Sequence, residues 1–396
     1  MKRSLLDIII SISDPLVSAV SDKGLSSGHN GPYHDPETPV RNTGHWLITF
    51  SRAFEWTGDE KFRDAARRCA DYLLSKPARP HGLSFHHRNG HKDHCNGLIG
   101  QAWTFEALAE ATRLFDDPKY ARLAEEVFFQ HPFDEESGLW NRLEINGDVL
   151  PFDSAFNHQL WFSACAAMIE AARRGEIMRR VKRFMDRLDN NLTVLPNGLV
   201  YHPIEHLFEK ELARQFFIGN RVKEQVKNLL RGLNHFQFPE MLESKKVIRK
   251  RFRENQTCKS LGYHAFSMYA FALLKPHTEN HAFWTSGKFG QMIAYMRTGD
   301  FRKGLDDNKY GYPYNPPGFE ISYSQIILES LGDANAIETT REWAAEQFYR
   351  CYNHQTLRMD RNTEDPVTHT ARLYELARIP KEILEAVVID SASEKT

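Results

Sequence analysis

The sequence lacks a CxxC pair, a long apolar run and an excess of either charge. Its five cysteines, Cys69, Cys95, Cys165, Cys258 and Cys351, are odd in number and far apart. That excludes a disulfide framework and a zinc ribbon. With 51 Lys+Arg against 52 Asp+Glu the net charge is −1, so no global basic field exists to hold nucleic acid. Nor is the composition of the acidic, disordered kind. No stretch approaches the roughly 20 apolar residues of a membrane span. Strand-like alternation is scarce. What is present is 41% hydrophobic and 12% aromatic residues, enough for a substantial core in 396 residues.

The first residues, MKRSLLDIIISIS, have the look of a signal peptide, but Asp7 interrupts the apolar region and no small-x-small cleavage site follows. Leu5, Leu6, Ile9, Ile12, Leu16, Val17 and Val20 share one face at helical spacing. The expectation is an outer helix packed on the body, in a reducing cytoplasm.

Apolar helical segments alternate with amphipathic ones along the chain. The apolar members begin near Thr38, Asn96, Asn157, Ser260, Glu320 and Val367. Amphipathic partners follow at 60–74, 118–129, 177–190, 282–297 and 336–352, with the N-terminal helix as the sixth. Helices apolar nearly all round are buried on both sides, and one-faced helices lie outside them. Six of each describe an all-α (α/α)6 toroid, a six-hairpin barrel formed by residues 1–396 as one domain. An elaborated connection, 191–259, separates the third and fourth hairpins. It holds a predicted helix over 221–233 and the basic run KKVIRKRFR at 245–253, a solvated face or a flap that steers an anionic substrate.

In such a ring the inner helices run in one direction, so the loops entering them converge on one face, where helix dipoles favour negative charge. Polar residues concentrate in those loops. The first has Tyr33, Asp35, Glu37, Arg41 and His45, and the second Asp93, His94, Asn96 and Gln101. The third has Asp153, Asn157, His158 and Gln159, and the fourth Tyr263 and His264. Tyr312, Tyr314 and Glu320 precede or open the fifth helix, and His369 and Arg372 the sixth. Any one of them reads as a cap or a satisfied core group; enrichment in all six loops reads as a site. Tyr310, Tyr312, Tyr314 and Phe319, set among prolines, suit a sugar-stacking rim. The 81–95 loop carries His81, His86, His87, His91, His94 and Cys95, but no diagnostic zinc spacing. The expected cofactor is none, with a divalent ion in that loop as the alternative.

The segments HCNGLIGQAWTFEALAEA, LPFDSAFNHQLWFSA, GYHAFSMYAFALL and YGYPYNPPGFE resemble the six-hairpin glycosidase superfamily. Within it the order of pieces is similar to the unsaturated glucuronyl hydrolases and to hydrolase-like proteins of glycan-assembly clusters. The former implies Asp153 as the proton donor to a substrate double bond, with Asp93 as partner carboxylate. A second resemblance is to toroid polysaccharide lyases acting on uronic acids, which carry an Asn-His pair entering an inner helix, matched by Asn157-His158. These resemblances imply a carbohydrate-active enzyme with an anionic oligo- or polysaccharide substrate.

Removing the C5 proton of a uronic acid needs an enolate stabiliser, for which Asn157, Gln159 and Arg41 are candidates, and a base. His158 and Tyr263 are the expected base and acid, with His94 and Tyr314 in reserve. Arg41, His45, Asn96, Gln101, Gln159, His264, Tyr312, Tyr314, Glu320, His369 and Arg372 are the expected substrate contacts. Lyase-type β-elimination is the first expectation, hydrolysis through Asp153 the second and C5-epimerisation the third. A glycan-binding assembly protein is the non-enzymatic alternative. Oligomeric state is open.

Overall fold

The computed structural model describes residues 2–208 and 245–390. The expected 221–233 helix lies outside them.

Six helical rods carry residues buried on nearly every side. They are Val40–Thr57, Gly97–Phe115, Phe156–Ala166, His264–Leu274 and Pro317–Leu328, then Pro366–Ala371 continuing as a 3-10 helix, Arg372–Arg378. Each packs on the next, and the sixth returns to the first, which closes the ring. The fold is the all-α (α/α)6 toroid the alternation predicts.

The outer helices Glu60–Leu73, Pro118–Gln130, Arg174–Asp186 and Asp333–Cys351 pack on the inner helices that precede them. Gly287–Met296 belongs to the fourth pair, where Phe283 and Trp284 pack on Phe271. Two hairpins use one turn device. Gly58, at φ 69°, ends the first inner helix, and Asp59 caps the outer one by accepting from Lys61 N at 3.1 Å. Asp116, at φ 49°, and Asp117, accepting from Lys119 N at 3.0 Å, repeat it. A left-handed residue followed by a carboxylate stops one helix and starts the next.

The N-terminal helix, Leu5–Ser13, buries Leu5, Ile8, Ile9 and Ile12. It packs against Val40–Thr57 and against Lys381–Ala386. Lys2–Ser4 pairs antiparallel with Val388–Asp390, so the two ends of the described chain clasp each other.

Two features depart from the expectation. The fourth inner helix, expected from near Ser260, is His264–Leu274, and a separate polar helix, Lys245–Gly262, at the end of the connection leads into it across a break at Tyr263. The basic run opens that polar helix. A three-stranded antiparallel sheet, Phe133–Asp134, Leu139–Leu143 and Val149–Phe152, stands before the third inner helix. Its last strand ends immediately before Asp153.

Candidate active site

The inner-helix starts surround a cavity of about 120 Å³. Its wall includes Asn30, Tyr33, Asn96, Trp103, His158, Lys259, Tyr263, Tyr314 and Arg372.

The second inner helix begins with two left-handed residues, Asn96 at φ 54° and Gly97 at φ 59°. This turn aims two amides outward, and each meets a carboxylate: Gly97 N donates to Asp93 Oδ1 at 2.9 Å and Leu98 N to Asp153 Oδ2 at 3.1 Å. A Cβ on Gly97 would overlap Asp153 Oδ2, so glycine serves both the backbone angle and the close approach.

Asp153 Oδ2 also accepts from His158 Nδ1 at 2.8 Å. Burial favours the neutral acid, but His158, Arg142 and the Leu98 amide outweigh it and hold Asp153 at about 2. An ionised Asp153 keeps the proton on Nδ1, which leaves Nε2 as the basic nitrogen. The imidazole is about a quarter exposed and lines the cavity. Asp93 is committed elsewhere: Arg88 and Arg142 each lie 2.9 Å from it.

Across the cavity stands a cluster of phenols. Tyr263 Oη lies 2.9 Å from Tyr33 Oη, and Tyr314 donates to Asn30 Oδ1 at 2.7 Å. Burial, with Tyr314 and Tyr33 close by, pushes Tyr263 well above an ordinary phenol, so it keeps its proton at neutral pH. His202, unremarked in the sequence, packs edge-on to His158 (centroids 6.4 Å apart) and on Tyr263 (4.9 Å).

The structure thus brings together Asp153, His158, Asn96, Tyr263, Tyr314 and Arg372. It places the other expected residues behind the wall. Gln101 clamps the Phe85 backbone, accepting from its amide at 2.8 Å and donating to its carbonyl at 3.0 Å. Gln159 clamps Trp140 in the same way, at 3.0 and 2.8 Å. His264 accepts from Val200 N at 3.2 Å. His369 contacts the Pro313 carbonyl and Gln347. Inner helices use polar side chains to hold the loops around them, and part of the enrichment in those loops is this structural device.

Arg41 also stands behind the wall. It pairs with Glu37 at 2.9 Å, contacts His45 and Asn30, and lies 4.0 Å over the Trp103 ring, while its Nη2 has no hydrogen-bond partner among the described residues. His45 stacks on Tyr374. Tyr312 sits beneath Arg350 and Phe319 against Phe348, so of the expected 310–319 rim only Tyr314 lines the cavity, beside Tyr33, Trp103, Tyr263 and Phe266. His94 stacks on His86 outside the cavity wall. Asn157 is 1% exposed, and neither amide atom has a hydrogen-bond partner among the described residues.

Glu320 and Glu375 share the Arg372 guanidinium, at 2.5 and 2.6 Å. Burial raises both carboxyls against the pull of Arg372, with Glu375 adding to the rise at Glu320 and Glu106 to the rise at Glu375. Among the described residues no three His, Cys, Asp or Glu side chains gather as a metal-binding set. None of the described helices is long and apolar enough to cross a membrane.

Lys259, Trp103 and Asn30 were not anticipated as cavity residues. For Lys259 a signal existed: it stands four residues before Tyr263, and Tyr263 N donates to its carbonyl at 3.1 Å, so one helical turn puts both on the same side.

The architecture defines an (α/α)6 toroid. A cellobiose 2-epimerase from Bacillus thermoamylovorans B4167 superposes with a TM-score of 0.59 at 11% identity, covering 96% of this chain and 98% of that one. An unsaturated glucuronyl hydrolase variant with dGlcA-Glc-Rha-Glc superposes at 0.57, also with 11% identity, covering 96% and 97%. No family model matches the sequence. Archaeal glycosylation protein Q of Haloferax volcanii is 40% identical over 378 residues, 95% of this chain and 97% of that protein. The chain belongs to the archaeal glycosylation protein Q family.

Proposed function

We propose that this protein is a carbohydrate-active enzyme that abstracts the C5 proton of a uronic acid residue in an oligo- or polysaccharide and completes a β-elimination. The observation that carries the reading is the Asp153–His158 pair, 2.8 Å apart with the imidazole on the cavity wall. An oriented imidazole is the group of choice for taking a carbon-bound proton near neutral pH.

In this mechanism Nε2 of His158 takes H5. The electron pair left on C5, shared with the carboxylate, forms the C4=C5 double bond as the C4–O bond breaks. Tyr263, protonated and buried, donates to the departing oxygen.

The hydrolase reading through Asp153 requires a proton on that carboxyl, and a group held at about 2 is a poor general acid at neutral pH. Epimerisation shares the first step and differs in returning a proton to the opposite face; the Tyr33–Tyr263 hydroxyl pair favours it as the second reading. The relative's name places that protein in glycosylation, which supports a glycan as substrate. Five free cysteines, four of them buried, support a reducing cytoplasmic setting.

Incubation with a panel of uronic-acid oligosaccharides, followed by mass and absorbance, tests the proposal. Elimination yields an ultraviolet-absorbing double bond without water uptake, and H158A abolishes it. C5 deuteration in heavy water with no cleavage selects epimerisation. Uptake of water, undiminished in H158A, overturns the proposal. Glycan binding with no turnover on any substrate would leave the assembly-protein alternative.

A further inference from the structure

The cations around the cavity are not equivalent. Arg88 pairs with Asp35 and Asp93, Lys92 with Asp35 at 2.7 Å, and Arg372 with Glu320 and Glu375. Lys259 alone among the lining Lys and Arg side chains has no ion pair with a described residue. Its ammonium lies 5.2 Å from the Tyr33 ring centre and 5.5 Å from that of Tyr263. Two aromatic faces stabilise a cation without neutralising it.

A partly buried ammonium without a carboxylate is unfavourable unless something negative arrives to meet it. Burial pushes Lys259 down to about 8; Asp153 opposes the shift and Lys92 adds to it. The bland role, a lysine near a helix C-terminus complementing the dipole, asks only for a solvated side chain. It does not explain an ammonium turned into a cavity between two phenols.

We propose that the Lys259 ammonium, boxed by Tyr33 and Tyr263, is the anchor for the carboxylate of the sugar that enters the cavity. The inference rests on the uronic-acid reading and adds its specificity determinant. Lys259 and His158 line the same cavity with Tyr263 also on its wall. In a uronic acid the carboxylate and the acidic hydrogen are both attached to C5. One group held at Lys259 therefore limits how far the C5 hydrogen can swing from the base. A neutral hexose, with a hydroxymethyl in place of the carboxylate, offers Lys259 no counter-charge.

Calorimetric titration of the full chain with D-glucuronate and D-galacturonate, and with D-glucose as the neutral probe, tests this. The wild type should favour at least one uronate over glucose by roughly tenfold or more, the worth of one charge-assisted contact. K259Q should lose that preference, K259R should keep most of it, and H158A should keep it while losing turnover. Thermal unfolding checks that each variant is folded, and K259M repeats the measurement if the amide disturbs the packing. A folded K259Q or K259M with the wild-type preference overturns the anchor and leaves the reaction standing. A wild type blind to the carboxylate overturns both.

Discussion

Asp153 Oδ2 serves two donors at once, His158 Nδ1 at 2.8 Å and the Leu98 amide at 3.1 Å. A single carboxylate oxygen thereby ties His158 on the third inner helix to the amino end of the second. The orientation of the imidazole is set by the packing of two neighbouring hairpins.

Replacing Asp153 with Asn keeps the shape and removes the charge. Turnover on the proposed uronic-acid substrate should fall about 100-fold, because the amide no longer fixes the proton on Nδ1. Steady-state kinetics on D153N, with circular dichroism to verify the fold, measures this. Undiminished turnover would remove the pair from the mechanism.

The same carboxylate has a signature in acid. Its pKa is depressed from 3.8 to about 2 in the folded protein. Its contribution to stability is therefore complete above about pH 4 and lost as pH falls through about 2. The shift corresponds to roughly 2 kcal/mol. Denaturant titrations of wild type and D153N should converge over that window; a pH-independent gap would contradict the assignment.

Gly97→Ala puts a Cβ on a left-handed residue and against Asp153. The backbone alone costs about 1–2 kcal/mol. Displacement of Asp153 should reduce turnover by more than the stability loss explains, read by comparing thermal midpoint with kcat.

The two phenols should separate. Tyr263→Phe removes the expected acid and should lower kcat about 100-fold or more. Tyr33→Phe removes only its neighbour and should cost much less. Equal effects would mean that the hydroxyl pair acts as a unit.

Glu106 and Arg378 pair deep between the second and sixth inner helices, at 2.8 Å, with side-chain exposures of 0% and 7%. Glu106→Ala strands the guanidinium and should destabilise by about 3–5 kcal/mol. Turnover per folded molecule should be unchanged. Chemical denaturation and active-site-normalised kinetics check the two halves.

Much of this was legible from the order of residues. Phe156 to Ala166 is buried almost throughout, and such a segment cannot be an outer helix, so the alternation of rods survives without coordinates. Asp153 and His158, Tyr263 and Tyr314 were expected near one another because the ring topology brings loops together.

The sequence could not separate residues facing the cavity from those behind it. Gln101 and Gln159 sit within a turn of inner-helix starts, as His158 does, yet both turn to backbone amides. The difference is a rotation of about one residue, 100° on a helix. Arg41 and Arg372 illustrate the same limit. Both are buried arginines with acidic neighbours, and only Arg372 lines the cavity. Lys259 lies past the basic run 245–253, in the connection, and was not singled out; where its ammonium lies depends on where the break at Tyr263 aims the last turn.

Chain-local physics, the periodicity of burial and the caps between helices, thus determined a ring of six hairpins and the end at which chemistry gathers. Which polar groups became a wall and which became mortar was decided by the azimuth of each rod. That azimuth is set by side chains from neighbouring hairpins dozens of residues away, so it exists only once the ring has closed.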